Sequence, residues 1–274
     1  LSSRPPVQID ENESQACIEF SVRGTPPDLD QLRAEFLHIA NDMNVDIAFQ
    51  EDSVFRRNRR LVVFDMDSTL IDAEVIDELA KEAGVGDQVV EITEQAMRGE
   101  IEFTESFARR VALLKGLDEA VIDQVLNSRI TFMPGGGDLL RTMKNAGAYA
   151  ALVSGGFTAF TARVAATLGF DENRANTLIV ADGKLTGEVG RPILGREAKV
   201  EALEQITARL GISEADVIAV GDGANDLGML TRAGAGVALH AKPSVAAECE
   251  IRINHGDLTA LLYVQGYSRG DFKG

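Results

Sequence analysis

The chain has 274 residues with 43 acidic and 27 basic side chains, and its formal net charge of −16 argues against a nucleic-acid backbone as partner. Hydrophobic residues at 45% and charged residues at 26% exclude a disordered chain and leave room for a sizeable core. No apolar run reaches the ~18 residues of a membrane span, and two cysteines, Cys17 and Cys249, are too few for a disulfide framework or a zinc site. The opening Leu1-Ser2-Ser3-Arg4-Pro5-Pro6 has no apolar signal region, which predicts a cytoplasmic protein. Residues 1–16 are polar and read as a tail. Residues 16–50 read as strand, helix, strand. Period-two alternation over Cys17 to Val22 gives the first strand, helical spacing of Leu29, Leu32, Phe36, Leu37 and Ile39 the helix, and alternation over Val45 to Phe49 the second strand. The run Arg56-Arg57-Asn58-Arg59-Arg60 reads as a solvated linker.

From Leu61 the pattern sharpens. Leu61-Val62-Val63-Phe64 is a continuous apolar run, as expected for a strand buried on both faces of a parallel sheet. Four helices follow at about 73–83, 87–98, 103–115 and 118–128, punctuated by Gly84-Val85-Gly86, Gly99-Glu100 and Gly116. After Met133-Pro134-Gly135-Gly136-Gly137 the chain alternates strands and helices. A helix at 138–146 leads to a strand at 149–153, and a helix at 157–168 leads to a hairpin at 175–189 turned by Asp182-Gly183. A helix at 196–210, a strand at 217–220, a helix at 225–233 and strands at 235–239 and 251–253 complete the chain. This order predicts an α/β fold: a doubly wound parallel sheet, a helical-bundle cap inserted after its first strand, and a small α+β N-terminal domain. The expected division is 1–60 for the N-terminal domain and linker, 61–72 with 133–274 for the core, and 73–132 for the cap.

Ligands of open α/β sheets sit beyond the carboxyl ends of the strands. Three such ends here carry polar groups: Asp65-Met66-Asp67-Ser68-Thr69-Leu70, Ser154-Gly155-Gly156, and Gly221-Asp222-Gly223-Ala224-Asn225-Asp226. Lys199 lies in the first turns of the preceding helix. Asp65, Asp67, Asp222 and Asp226 at one edge would repel unless a cation sat among them. Oxygen ligands without His or Cys select a hard ion, and Mg²⁺ fits. His38, His240 and His255 are scattered and fit neither a zinc cluster nor a hydrolase triad. Ser154 lacks the Gly-x-Ser-x-Gly elbow, and the glycines after Met133 lack a Gly-Lys-Ser/Thr ending, so neither a serine hydrolase nor a nucleotide P-loop is expected.

Asp-x-Asp-x-Thr after a hydrophobic strand, then Ser, then Lys, then Gly-Asp-Gly-x-Asn-Asp resembles the haloacid dehalogenase superfamily, from Leu61 nearly to the C-terminus. Glu74, Arg110 in the helical stretch 103–114, and Val153-Ser154-Gly155-Gly156-Phe157 narrow the resemblance to the phosphoserine phosphatase family. Residues 16–50 resemble half of an ACT-type regulatory domain, by pattern only.

The resemblance implies Mg²⁺-dependent hydrolysis of O-phosphoserine to serine and phosphate, the last step of phosphorylated serine biosynthesis. Asp65 would be the nucleophile that becomes an aspartyl-phosphate, and Asp67 the general acid and then base. Mg²⁺ would be held by Asp65, the Asp67 carbonyl, Asp222 and Asp226, while Ser154, Gly155 and Lys199 grip the phosphoryl oxygens and Asn225 orients ligands or phosphate. Glu74 and Arg110 would take the substrate ammonium and carboxylate. Phe103 and Met97 would give the pocket an apolar wall, with core packing as their alternative. The competing expectations are a phosphatase or phosphotransferase for another phosphorylated amine or amino acid, and an N-terminal module that senses an amino acid or supports a homodimer. No nucleic-acid or membrane partner is expected.

Overall fold

A strand with no exposed residue, at 61–64, lies at the centre of the molecule, and every other layer is placed by reference to it. The structure, a computed structural model, describes residues 2–3, 7–8 and 14–273. Most of the tail expected over residues 1–16 lies outside these. The N-terminal part contains four two-residue strands, β1 (Ser2–Ser3), β2 (Val7–Gln8), β3 (Ser14–Gln15) and β4 (Ile18–Glu19), paired antiparallel as β1 with β4 and β2 with β3. Helix α1 (Leu29–Met43) is opened by the Asp28 side chain, which accepts from the Gln31 N–H at 2.9 Å. Asn44, in the left-handed region, closes it.

Three expectations fail in this part. The strand expected at 17–22 shrinks to β4, and residues 45–49 form no strand, so the strand–helix–strand order on which the half ACT likeness rested is not shown among the described residues. The physical reason is that 45–49 finds the core before it finds a sheet partner. The Asp46 carboxylate accepts the backbone N–H groups of Asn254 (2.7 Å), His255 (3.2 Å) and Gly256 (2.7 Å), and Phe49 packs on Phe36. The arginine run is not a solvated linker either. After α2 (Val54–Arg57) begins, Arg56 is buried, donating to the Val264 carbonyl at 2.8 Å and pairing with Glu19 at 3.0 Å. Arg59 donates to the carbonyls of Ala215 and Gly234. Two of the four arginines therefore staple the N-terminal part to core backbone.

The first core strand, β5 (Leu61–Phe64), is followed by the cap helices α3 (Val75–Glu82), α4 (Gly86–Met97), α5 (Phe103–Ala112) and α6 (Ala120–Ser128). The two segments joining cap to core pair with each other. Asp72 N–H donates to the Thr131 carbonyl at 3.0 Å, and Met133 N–H to that of Leu70 at 2.9 Å. The core continues through α7 (Gly136–Asn145), β6 (Tyr149–Phe157), α8 (Thr158–Leu168) and β7 (Glu172–Asn176). Gly135, just before α7, has φ +83°, and a Cβ there would lie 2.8 Å from the Thr259 nitrogen; only glycine fits this return from the cap.

The hairpin expected at 175–189 is divided in two. Residues 172–176 form β7 in the main sheet, and only β8 (Leu178–Ala181) and β9 (Lys184–Val189) make the hairpin. The sequence Glu172-Asn173-Arg174-Ala175-Asn176 is polar, as an edge strand can be, and so resembles a loop. The hairpin reaches the cap: Gly116 N–H donates to the Leu185 carbonyl, and Leu185 N–H to that of Leu117, both at 2.8 Å.

Then come α9 (Arg196–Leu210), β10 (Val217–Gly221), α10 (Leu227–Arg232), β11 (Ala235–Leu239), α11 (Pro243–Glu248), β12 (Ile251–Ile253) and α12 (Ala260–Val264); α11 and α12 are additions to the expected elements. The six-stranded sheet is parallel throughout, in the order β12-β11-β10-β5-β6-β7. Leu61 and Val63 face one apolar layer while Val62 and Phe64 face the other, so both faces are covered. The chain builds outward from β5 through β6 to β7, then crosses back to place β10 on the other side of β5. That reversal makes the carboxyl ends of β5 and β10 a topological switch point, the usual place for a ligand crevice.

Replacing Asp46 by Ala should leave three backbone donors without their carboxylate and cost about 1–3 kcal/mol. Thermal unfolding should show a Tm lower by several degrees with the core intact; an unchanged Tm would contradict the docking role given to this side chain.

Candidate active site

Asp65 follows β5 directly, and its N–H continues the ladder to the Val220 carbonyl of β10 at 3.0 Å. The residue is 4% exposed. Its Oδ1 accepts the Met66 N–H at 2.7 Å, and its Oδ2 lies 2.8 Å from Lys199 Nζ. Lys199 comes from the first turn of α9, is 1% exposed, and also donates to Asp226 Oδ1 at 2.5 Å. Asp226, with no exposure, turns its second oxygen back to the N–H groups of Asp222 (3.2 Å) and Gly223 (3.0 Å). Gly221 permits this close fold, since a Cβ there would collide with the Asp226 carboxylate.

Burial alone would strip the proton from Lys199, but Asp65 and Asp226 outweigh it and raise the ammonium above its ordinary value. Burial first, then Asp65, push Asp226 and Asp222 upward. Asp67 is lifted well above the usual carboxylate range, by burial and then by Glu74 and Asp65; the Val75 N–H at 3.4 Å pulls only weakly against this.

Asp65, Asp222 and Asp226 can each direct one carboxylate oxygen so that all three lie within 4.8 Å of one another. The donors are all oxygen, and Lys199 contacts only two of the three, so negative charge remains in excess. That chemistry fits a hard divalent cation.

On the opposite side of β5, the end of β6 bulges between Val153 and Phe157. The bulge brings the buried Ser154 hydroxyl into range of the Gly156 N–H at 2.9 Å. A Cβ on Gly156 would lie 2.9 Å from Asp67 Oδ2 and 3.1 Å from Ser154 Oγ, so a glycine here is what lets the two strand ends approach. Six of the expected residues are thus brought to one place: Asp65, Asp67, Ser154, Lys199, Asp222 and Asp226. Gly155 lies beside them.

The remaining expected residues divide. Glu74 takes the N-cap position of α3 but makes no cap bond; its Oε1 accepts the Ser68 hydroxyl at 3.1 Å. Glu74 keeps an exposed surface, yet partial loss of solvent, followed by the charges of Asp222 and Asp65, raises its pKa. Arg110 is not a solvated face residue. Its guanidinium lies over the Phe107 ring at 5.8 Å, its Nε is buried without a hydrogen-bond partner, and burial lowers its pKa against the pull of Asp77 and Glu74. Phe103 is 41% exposed, so it is not core; its ring packs 5.9 Å from Phe107 and faces Gly195, just ahead of α9. Met97 is 73% exposed at the end of α4 and is neither core nor joined to the cluster. Asn225 is exposed and curls over Gly223.

Two side chains inside the first motif carry roles that the pattern alone did not assign. Ser68, with φ +56°, holds Glu74, and the Thr69 hydroxyl donates to Asp222 Oδ1 at 3.3 Å. Hydroxyls flanking a carboxylate motif were the available signal.

The family description haloacid dehalogenase-like hydrolase matches residues 62–231. The chain is 45% identical to the phosphoserine phosphatase of Archaeoglobus fulgidus over 247 residues, covering 90% of this chain and 72% of that one. It is 43% identical to the phosphoserine phosphatase of Streptomyces coelicolor, covering 93% of this chain but spanning only 62% of that relative's length. Among solved structures, one described as a phospho-aspartyl intermediate analogue of phosphoserine phosphatase superposes with a TM-score of 0.69 at 43% identity, covering 75% of this chain and 98% of that one. With the carboxylate cluster, Ser154 at its strand end, Lys199 on α9 and these similarities together, the chain belongs to the haloacid dehalogenase-like hydrolases and, within them, to the phosphoserine phosphatase family.

Proposed function

We propose that this chain hydrolyses O-phospho-L-serine to L-serine and phosphate in a two-step displacement on Asp65, with Mg²⁺ as cofactor. The observation that carries the substrate assignment is Arg110, a half-buried guanidinium with an unpartnered Nε in the same field as Glu74. One cation and one anion beside a phosphate site are complementary to an amino acid's carboxylate and ammonium. The relatives, both phosphoserine phosphatases, support the same substrate.

In the first step the Asp65 carboxylate attacks phosphorus, the P–O bond to serine breaks, and Asp67 gives its proton to the leaving oxygen. In the second, Asp67, now a carboxylate, takes a proton from water as the water oxygen attacks phosphorus; the acyl phosphate breaks and Asp65 is restored. The raised pKa of Asp67 supports the first role. Lys199 and the Met66 N–H hold the two Asp65 oxygens, so the nucleophile does not rotate away. The Ser154 hydroxyl, the Gly155 amide and Lys199 form a cradle for the phosphoryl oxygens, with Asn225 at its rim. Fixed donors of this kind act where charge shifts in the transition state. Bound Mg²⁺ would be held by Asp65, the Asp67 carbonyl, Asp222 and Asp226, where it would offset their charge and that of the phosphate. Phe103 supplies an apolar wall between cap and core; Met97 is left out of that wall.

We assign 61–72 and 133–274 to the catalytic core, 73–132 to the substrate-selecting cap, and 1–60 to an accessory part docked on the core. Among the described residues no helix is long and apolar enough to cross a membrane. That fits a small-molecule enzyme.

Phosphate release from phosphoserine should fall at least about a thousandfold in Asp65→Asn, and chelation should abolish it in the wild type. Mg²⁺ added to stripped protein should also raise Tm, since binding to the folded state alone stabilises it. Turnover that survives either change would overturn the mechanism. For Arg110→Ala, kcat/KM for phosphoserine should drop about a hundredfold, while that for phosphoethanolamine, which lacks the carboxylate, changes by no more than a few-fold. Equal losses on both would remove the carboxylate role.

A further inference from the structure

The phosphate cradle is assembled from two separate stretches of chain, the bulged end of β6 and the loop entering α9. Asn176, the last residue of β7, touches both. The residue is 2% exposed and its side-chain amide is held by three hydrogen bonds. Its Nδ2 donates to the Gly155 carbonyl at 2.9 Å and to the Leu194 carbonyl at 3.1 Å, and its Oδ1 accepts the Leu194 N–H at 2.7 Å.

The geometry gives these bonds a direction. The Gly155 carbonyl belongs to the peptide plane whose other end is the Gly156 N–H, and in a trans peptide the two point opposite ways. That N–H is the group on Ser154 Oγ. One rigid plane therefore connects the Asn176 amide to the Ser154 hydroxyl. On the other side, Leu194 is gripped through both its N–H and its carbonyl, just ahead of Arg196 and α9, whose first turn presents Lys199. Sheet pairing does not make these links. The β6–β7 ladder is broken between Val153 and Phe157 and resumes only with Phe157 opposite Asn176, and residues 190–195 belong to no strand.

We infer that Asn176 is a positioning residue: it sets the Gly155–Gly156 peptide, and with it the Ser154 hydroxyl, in place relative to the loop that delivers Lys199. This rests on the phosphatase reading above. Removing the amide leaves two carbonyls and one N–H without their partner. A small displacement of groups that grip a transferring phosphoryl is costly to rate.

The test compares Asn176→Ala and Asn176→Asp with wild type, at a temperature where circular dichroism shows all three folded. The aspartate keeps the size but turns an acceptor toward two carbonyls. Both variants should lose about tenfold or more in kcat/KM for phosphoserine. The inhibition constant of inorganic phosphate should rise in parallel, while the Mg²⁺ concentration for half-maximal stabilisation against heat stays within twofold. A purely structural asparagine would lower Tm alone, so folded variants with kcat/KM and phosphate inhibition within twofold of wild type overturn the inference. Should the variants not fold, the wild type still decides. Hydrogen exchange at the Leu194 amide should slow when orthovanadate and Mg²⁺ are bound, and unchanged exchange would also overturn it. Wild-type protein that releases no phosphate from phosphoserine would instead overturn the underlying reading.

Discussion

A lysine ammonium sealed between two sealed carboxylates is the constraint on which the site depends. Taking an ammonium out of water costs several kcal/mol, and in an apolar pocket the group would lose its proton. Lys199 keeps its charge because Asp65 and Asp226 lie at 2.8 and 2.5 Å. The same contacts hold Asp65 in one orientation at the end of β5. They do not neutralise the neighbourhood, since Asp67 and Asp222 crowd the same strand ends. The surplus negative charge has two consequences. It favours a hard cation among the aspartates, and it adds to burial, through Glu74 and Asp65, in raising the pKa of Asp67.

The sheet makes this crowding possible. With β10 and β6 on either side of β5, three strand ends meet side by side, and two of them have room only for a residue without a Cβ. Gly221 makes room for the Asp226 carboxylate, and Gly156 for Asp67 and Ser154. The cap is not a loose lid over this edge. It is joined to the core by the paired segments at 70–72 and 131–133 and touched again by the β8–β9 hairpin. Glu74, in the field of Asp222 and Asp65, and Arg110, in the field of Glu74, are therefore carried by a helical layer with its own packing, including the Phe103–Phe107–Phe157 series that crosses from cap to core.

Much of this was legible in the residue order, for identifiable reasons. Leu61-Val62-Val63-Phe64 is apolar on every residue because both faces of β5 are covered. The helix at 196–210 and the strands at 235–239 and 251–253 have the expected bounds, each being flanked by turn residues. The site aspartates were visible because they recur at successive strand ends. Other features depend on tertiary contacts that no local pattern encodes. Residues 45–49 alternate like a strand, yet Asp46 finds three backbone donors in another part of the chain. Arg56 and Arg59 look solvated in a basic run, but carbonyls of the core take them. The strand β7 hides behind the polar residues of an edge, and Asn176 hides with it. Met97 closes a polar last turn of α4 and is 73% exposed.

The central claim is that this charge arrangement makes Asp65, and no neighbouring carboxylate, the group that captures phosphorus. It is tested most directly by quenching the wild-type protein during turnover of phosphoserine and reducing it with borohydride, which converts an acyl phosphate to homoserine, followed by peptide mass mapping. The account predicts homoserine at position 65 alone, appearing with substrate and absent without it. Homoserine at position 67, 222 or 226, or at none of them while phosphate is being released, would contradict it.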